Sequence, residues 1–163
     1  MRIHDVKLAL ARTLPALADP VSERSAAVAA IFRDSESHGL EVLFIQRAER
    51  EGDPWSGHMA FPGGRRELSD VDLLATAVRE TSEEIGIDLI RCAELVGVLD
   101  DQDATGRSTT KALPTRPFVF ELTGAPQLAP NVEVHEIVWT PVLPLIRGEQ
   151  QTTMNITYKG QPY

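Results

Sequence analysis

The stretch Arg79-Glu80-Thr81-Ser82-Glu83-Glu84-Ile85-Gly86-Ile87 decides how the rest of the chain is read. At about 100° per residue, Glu80, Glu83 and Glu84 fall at i, i+3 and i+4 on one helical face. Val71, Leu74, Val78 and Ile85 gather on the opposite face. The helix is therefore expected to pack its apolar side on a sheet and to present three carboxylates together. Helical periodicity runs from about Asp70 to Gly86, with Asp70 or Ser69 as N-cap, acidic residues in the first turn and Gly86 as terminator. Like charges at this spacing cost a helix roughly a few tenths of a kcal/mol per pair, which bound divalent cations would remove. Hard ions such as Mg²⁺ suit carboxylate oxygen, keep several waters and bridge to substrate phosphates. A solvated acidic face carries the same three glutamates, and the flanking residues favour the ion site over it. Phe61-Pro62-Gly63-Gly64 puts a glycine turn just ahead of the helix, where a main-chain carbonyl can meet an ion with no side chain in the way. Arg79 can fix a neighbouring carboxylate by a charge-assisted pair.

Working outward, residues 26–33 and 40–47 are apolar, β-branched-rich runs joined by the polar segment 34–39, a hairpin pattern. Residues 49–57 are polar and turn-rich, and 58–61 make a brief strand that stops at a tight turn, Pro62-Gly63-Gly64. Further strands are expected at 95–99, 116–122, 136–140 and 154–158, a polar loop at 100–111 and a short helix at 142–147. Residues 1–20 place Leu8, Leu10, Leu14 and Leu17 around Pro15, which suits a short helix broken at its middle or followed by a turn. Neither a repeat nor a linker divides the chain. A clear helix between two strand-rich halves predicts one α/β domain over residues 1–163, a mixed sheet covered by helices, with residues 1–20 as an N-terminal extension.

The chain has 163 residues, 42% of them hydrophobic, and 16 basic against 24 acidic side chains leave a net charge of −8. That balance argues against a nucleic-acid polymer as partner, because nonspecific grip on a phosphate backbone needs clustered cations. A small phosphorylated ligand remains compatible if basic residues or bound cations invert the field locally. Cys92 is the single cysteine, so no intrachain disulfide forms, and it reads as a small buried apolar residue. The apolar runs are too short for a membrane span, and Asp5 and Lys7 interrupt the start before a signal-type stretch develops, so a cytosolic location is the expectation.

Residues 79–87 resemble the second half of the Nudix hydrolase box, G-x5-E-x7-R-E-U-x-E-E-x-G-U, with Thr81 at the first bulky aliphatic position. The first half fits with one extra residue, as Gly64-x5-Asp70-x8-Arg79. Similar lengthening, with Asp for Glu, is familiar in the coenzyme A pyrophosphatase branch. That branch also has Phe-Pro-Gly-Gly, as at residues 61–64, after an L-L-T-x-R-[SA] strand that Leu43-Phe44-Ile45-Gln46-Arg47-Ala48 resembles. The chain departs from that pattern at Gly52, where the branch has a second arginine, and by one extra residue before Gly57.

The resemblance implies an α/β/α sandwich with a mixed sheet and hydrolysis of a diphosphate linked to another moiety, with Mg²⁺ or Mn²⁺ as cofactor. It implies Glu80, Glu83 and Glu84 as metal ligands, the Gly63 carbonyl as a further ligand, and Arg79 as the group that orients Glu80. Glu80 is the first choice for general base, with Glu133 or Glu136 as loop alternatives. A coenzyme A type substrate is favoured; the alternatives are a nucleotide-sugar or nucleoside-triphosphate pyrophosphatase, or a nucleotide-binding module without turnover. Arg47, Arg65 and Arg66 are the candidate basic patch for the acidic ligand, Arg47 and Arg65 first, and an ordinary charged rim is the other reading of them. His58 reads as a structural histidine before a phosphate contact, Trp55 either stacks on a base or anchors its loop, and Asp100 and Asp101 form a turn or a support for the metal site. A monomer or homodimer acting on a small-molecule diphosphate is expected, and the family usually continues past residue 163 with a further helix.

Overall fold

A computed structural model describes residues 1–12, 24–53, 55–104, 113–149 and 151, with the backbone alone at 157–158 and 161–162. Leu14, Pro15 and Leu17 of the expected N-terminal break and residues 154–156 of the expected last strand lie outside the described residues.

The hairpin forms as its pattern predicts. β1 (Ala26–Ser35) and β2 (Gly39–Arg47) pair antiparallel, with Phe32 opposite Val42 and Ser35 opposite Gly39. Period-two alternation then assigns side chains to two faces. Ala27, Ala29, Ile31, Leu43 and Ile45 enter one buried cluster, and Leu40, Val42, Phe32 and Phe44 enter or line another. Each face needs its own cover. The first cluster takes Leu73, Ala77 and Ile85 from the long helix, followed by Ile87 and Leu89; the second takes Ile3 from the N-terminal helix and Val142 from a late one. Helices thus cover both faces, the α/β/α sandwich that the sequence predicts.

In chain order the elements are α1 (Ile3–Leu10), β1, β2, β3 (Met59–Ala60), β4 (Gly63–Arg65), α2 (Leu73–Ile85), α3 (Leu89–Cys92), β5 (Ala93–Val98), β6 (Gln102–Asp103), β7 (Pro114–Leu122), β8 (Val134–Pro141) and α4 (Val142–Ile146). A final pair, β9 (Thr157–Tyr158) and β10 (Gln161–Pro162), forms a separate two-stranded ladder. The main sheet is mixed: β7 runs parallel to β1 along residues 26–32 of β1, and the remaining pairings are antiparallel. The other edge of β1 is shared, β2 taking residues 32–35 and β4 taking residues 26–28.

Several expectations need correction. Pro62-Gly63-Gly64 is no tight turn, because Gly63 and Gly64 open strand β4 against β1. Gly63 has φ +152°, and a Cβ there would meet the Ala27 carbonyl oxygen and Val28 Cα, so close backbone approach is what requires glycine. α2 begins at Leu73, with Asp72 as N-cap accepting from the Ala75 N–H at 2.7 Å and no acidic residue in the first turn. Asp70 is unavailable as a cap because it is committed to Arg79. Val71 is solvent-exposed ahead of the helix, Leu74 and Val78 are half-buried, and the buried stripe is Leu73, Thr76, Ala77, Thr81, Glu84 and Ile85. Thr81 fits that stripe because its hydroxyl donates to the Ala77 carbonyl at 2.7 Å, leaving no unsatisfied polar atom. Cys92 is partly rather than fully buried, and α3 and β6 carry no strong local signal. Among the described residues no helix is long and apolar enough to cross a membrane.

Gly63→Ala is expected to destabilise the fold by about 2–4 kcal/mol, from overpacking against β1 together with an unfavourable φ. Urea unfolding measures this, and a midpoint equal to that of the parent chain would contradict the crowding at β4.

Candidate active site

The register of β4 sets up the site. The Ala29 N–H donates to the Pro62 carbonyl at 2.8 Å and the Arg66 N–H to the Ser25 carbonyl at 2.9 Å. Alternation along an antiparallel ladder then turns the main-chain groups of Gly64 toward β1 and those of Gly63 and Arg65 toward the other edge, where α2 lies. Both outward residues are used there. The Gly63 N–H donates to Glu84 Oε2 at 2.8 Å, and the Arg65 carbonyl accepts from Arg79 Nη2 at 3.1 Å. The Gly63 carbonyl faces the same edge. Gly64 leaves room for Glu80, whose carboxylate occupies the space a Cβ would fill.

Arg79 ties the acidic face together. Nε and Nη2 fork onto the two oxygens of Asp70, each at 3.0 Å, and Nη1 reaches Glu80 Oε1 at 3.0 Å and Glu83 Oε2 at 3.1 Å. Asp70 also accepts from the Thr76 hydroxyl and the Glu67 N–H, both at 2.9 Å. These bonds, those from Arg79 foremost, outweigh burial and hold the Asp70 carboxyl down at about 2.

The three glutamates share a side of α2 but not a depth. Side-chain exposure is 56% at Glu83 and 18% at Glu80, and Glu84 as a residue is only 4% exposed. Burial pushes Glu80 upward against the pull of Arg79. Burial likewise pushes Glu84 up to about 7, with the Gly63 N–H opposing and the Glu80 charge adding to it. The end of the helix that carries Glu84 is pinned from outside: the Asn131 N–H donates to the Glu84 carbonyl and the Ala129 N–H to the Ile85 carbonyl, each at 2.9 Å.

Beside this edge opens a cleft of about 600 Å³, lined among others by Gly63, Gly64, Glu84, Arg24, Arg47, Arg65, Trp55, His58 and Met59. Glu84 is the glutamate of the three that lines it. Among the described residues no three acidic, histidine or cysteine side chains converge tightly enough to hold an ion as they stand. Arg79 draws Glu80 and Glu83 to itself while Gly63 takes Glu84. The donor chemistry nevertheless fits a hard divalent cation: carboxylate oxygens, a main-chain edge without side chains, and in Glu84 a buried carboxylate that accepts one N–H.

The remaining predicted residues divide. Arg65 lines the cleft, and its guanidinium has no ion-pair partner among the described residues. Arg47 also lines it, but Nη2 is paired with Asp53 at 2.8 Å. Arg66 is drawn off to the Asp70 carbonyl at 3.1 Å and does not line the cleft. His58 lies exposed on the cleft with its ring edge-on to Trp55. Glu133 is paired with Arg50 at 3.0 Å, and Glu136 sits on β8 opposite Gln46. Asp101 forms a two-pronged pair with Arg116 at 2.8 and 2.9 Å, which accounts for it without a metal. Sequence reasoning missed Arg24 and the Asp53 partner of Arg47; the acidic residue six positions after Arg47 in a turn-rich loop was the available signal for the second.

The family model for the NUDIX domain matches residues 23–157. The chain belongs to the Nudix family. An uncharacterized protein of Schizosaccharomyces pombe is 44% identical over 118 residues, which are 71% of this chain and 36% of that protein. The peroxisomal coenzyme A diphosphatase of Mus musculus is 30% identical over 129 residues, 76% of this chain and 50% of the relative. This Nudix chain therefore spans half or less of the length of those curated relatives. A crystal structure of a C. elegans Ap4A hydrolase complex shares the fold, with a TM-score of 0.56 and 22% identity over 76% of this chain and 83% of that one.

Asp70→Asn is expected to cost about 1–2 kcal/mol at neutral pH, the lower figure allowing for solvent screening. A depressed carboxyl stabilises the fold above its ordinary value of 3.8, and that contribution is lost as pH falls toward about 2. The gap in urea midpoint between parent and variant should accordingly close over that window; a gap unchanged from neutral pH to pH of about 2 would rule out a charge effect.

Proposed function

We propose that this Nudix domain hydrolyses the pyrophosphate bond of a nucleoside diphosphate linked to another moiety, with Mg²⁺ or Mn²⁺ as cofactor and coenzyme A or its derivatives as favoured substrate. The observation that carries the reading is the buried Glu84 carboxylate at the cleft, flanked by the outward edge of β4 and by two glutamates held by one arginine. Likeness to a relative named a coenzyme A diphosphatase supports the substrate class. The departure from the coenzyme A branch pattern over Asp53–Gly57 keeps a nucleotide-sugar or nucleoside-triphosphate pyrophosphatase as the second reading. Residues 1–163 are proposed to form one domain that acts in the cytosol, as a monomer or homodimer.

In this proposal Glu80, Glu83 and Glu84 hold the ions together with the Gly63 carbonyl. Bound ions supply charge neutralisation of the diphosphate and a water of lowered pKa. The chain's own residues do the positioning. Arg65, without an ion-pair partner among the described residues, and Arg47 both line the cleft and would meet the phosphates there. Arg79 fixes the rotamer of Glu80, and partial burial raises the proton affinity of Glu80, which suits it to accept a proton from the attacking water. Glu133 is the alternative base; its charge is felt at Glu84, but Arg50 holds its carboxylate.

Glu83→Gln and Glu84→Gln should each lower kcat for coenzyme A hydrolysis at least about a hundredfold with Mg²⁺ present. Mass analysis of phosphate products over a substrate panel checks this and separates the two substrate readings. Full hydrolysis by both variants would remove the assigned role.

A second expectation concerns metal-free protein. A carboxyl whose folded value is raised binds more protons folded than unfolded, so Glu84 should make stability fall as pH rises from 4.5 through about 7. Mn²⁺ at about pH 8 should raise the melting temperature of the parent and leave Glu84→Gln unmoved. An equal rise in both proteins would place the ion elsewhere.

A further inference from the structure

The cleft carries two kinds of surface. Arg47, Arg65, Gly63 and Glu84 line it together with Trp55 and Met59, which are 42% and 49% exposed. The other strongly exposed large apolar side chains, such as Leu68, Val71 and Ile90, do not line it. An exposed indole in a concave site is an unusual place to leave apolar area, and it is held there. The Trp55 N–H donates to Asp53 Oδ1 at 2.9 Å, while Asp53 Oδ2 accepts from Arg47 Nη2 at 2.8 Å. One carboxylate thus ties the backbone of Trp55 to a cation on β2. Asp53 is kept ionised by Arg47 first and by the Trp55 N–H second. His58 meets the indole at a right angle, with centroids 5.7 Å apart and planes at 84°, a contact that supports the ring and leaves it exposed.

We propose that Trp55 is a stacking surface for a planar heteroaromatic ring in the non-phosphate part of the substrate, and that Asp53 is the residue that positions it. The inference rests on the reading of this cleft as a diphosphate site and assigns recognition of the substrate's ring to Trp55. Stacking on an aromatic face tolerates any base, because every base presents a π-surface. The surface therefore selects for a ring, not for one ring, and the phosphate end supplies the rest of the recognition.

Trp55 and Trp139 are the two tryptophans of the chain, so Trp139→Phe leaves Trp55 as the sole fluorescent indole. Titrated with ADP, that protein should lose Trp55 emission; titrated with inorganic pyrophosphate, it should not. Trp55→Ala should weaken ADP binding about tenfold, the size of one lost stacking contact, and leave pyrophosphate binding within about twofold, while Trp55→Phe keeps most of the affinity. Asp53→Ala and Asp53→Asn both release Arg47, but only the amide keeps an oxygen for the Trp55 N–H. Asp53→Ala should therefore mimic Trp55→Ala toward ADP, and Asp53→Asn should recover most of the loss. Equal weakening of both ligands, or ADP binding without quenching, would overturn the proposal. Quenching without hydrolysis of any diphosphate would leave the stacking surface standing and remove the hydrolase reading, whereas turnover without quenching would do the reverse.

Discussion

The guanidinium of Arg79 is the interaction on which the site depends. Four carboxylates, Asp70, Glu67, Glu80 and Glu83, lie within 4 Å of it, and in its absence they would face one another across a half-buried edge. Removing one member of such a buried network is far more damaging than replacing the whole of it, because the partners left behind stay desolvated and unpaired. The same side chain also bonds to the Arg65 carbonyl, so it joins α2 to β4 as well as acid to acid. Fold and chemistry meet at that atom group: the helix can be acidic where it touches the sheet because a planar cation fills the gap.

How far the sequence discloses this depends on range. β1 and β2 are legible as apolar runs around a polar segment, and the body of α2 is written in a local period of 3.6, but runs buried on both sides do not say which residues meet which helix. The start of α2 was obscured because two aspartates compete for one cap. Asp72 bonds the Ala75 N–H, while Asp70 is claimed by Arg79, nine positions away, a long-range fact with no local trace. The glycine pair after Pro62 has the composition of a turn, yet β1 recruits it as a strand, and its glycines serve close packing. Spacing places Glu80, Glu83 and Glu84 on one side of a cylinder but gives no depth, so the burial of Glu84 was not legible. Arg47 and Arg65 look alike in sequence. Only the folded structure shows that Arg47 meets Asp53, whereas Arg65 has no ion-pair partner among the described residues.

The cleft owes its two-sided character to loop 48–57. The Arg50 N–H donates to the Ser56 hydroxyl, Arg50 reaches Glu133 through its guanidinium, and the Ala48 N–H donates to the Glu133 carbonyl. The loop is thereby laced to the segment before β8 as well as to β2. Polar residues here do not simply face water; Asp53 fastens the backbone of Trp55 beside Arg47 at the cleft.

The carbonyls that end α2 have a further consequence. Because Glu84 and Ile85 accept from Asn131 and Ala129, the last turn of the helix cannot fray unless the 129–131 segment peels away with it. Helix ends ordinarily breathe on their own. Here the acidic wall behaves as fixed masonry, loosening only in openings that also unseat a distant stretch of chain.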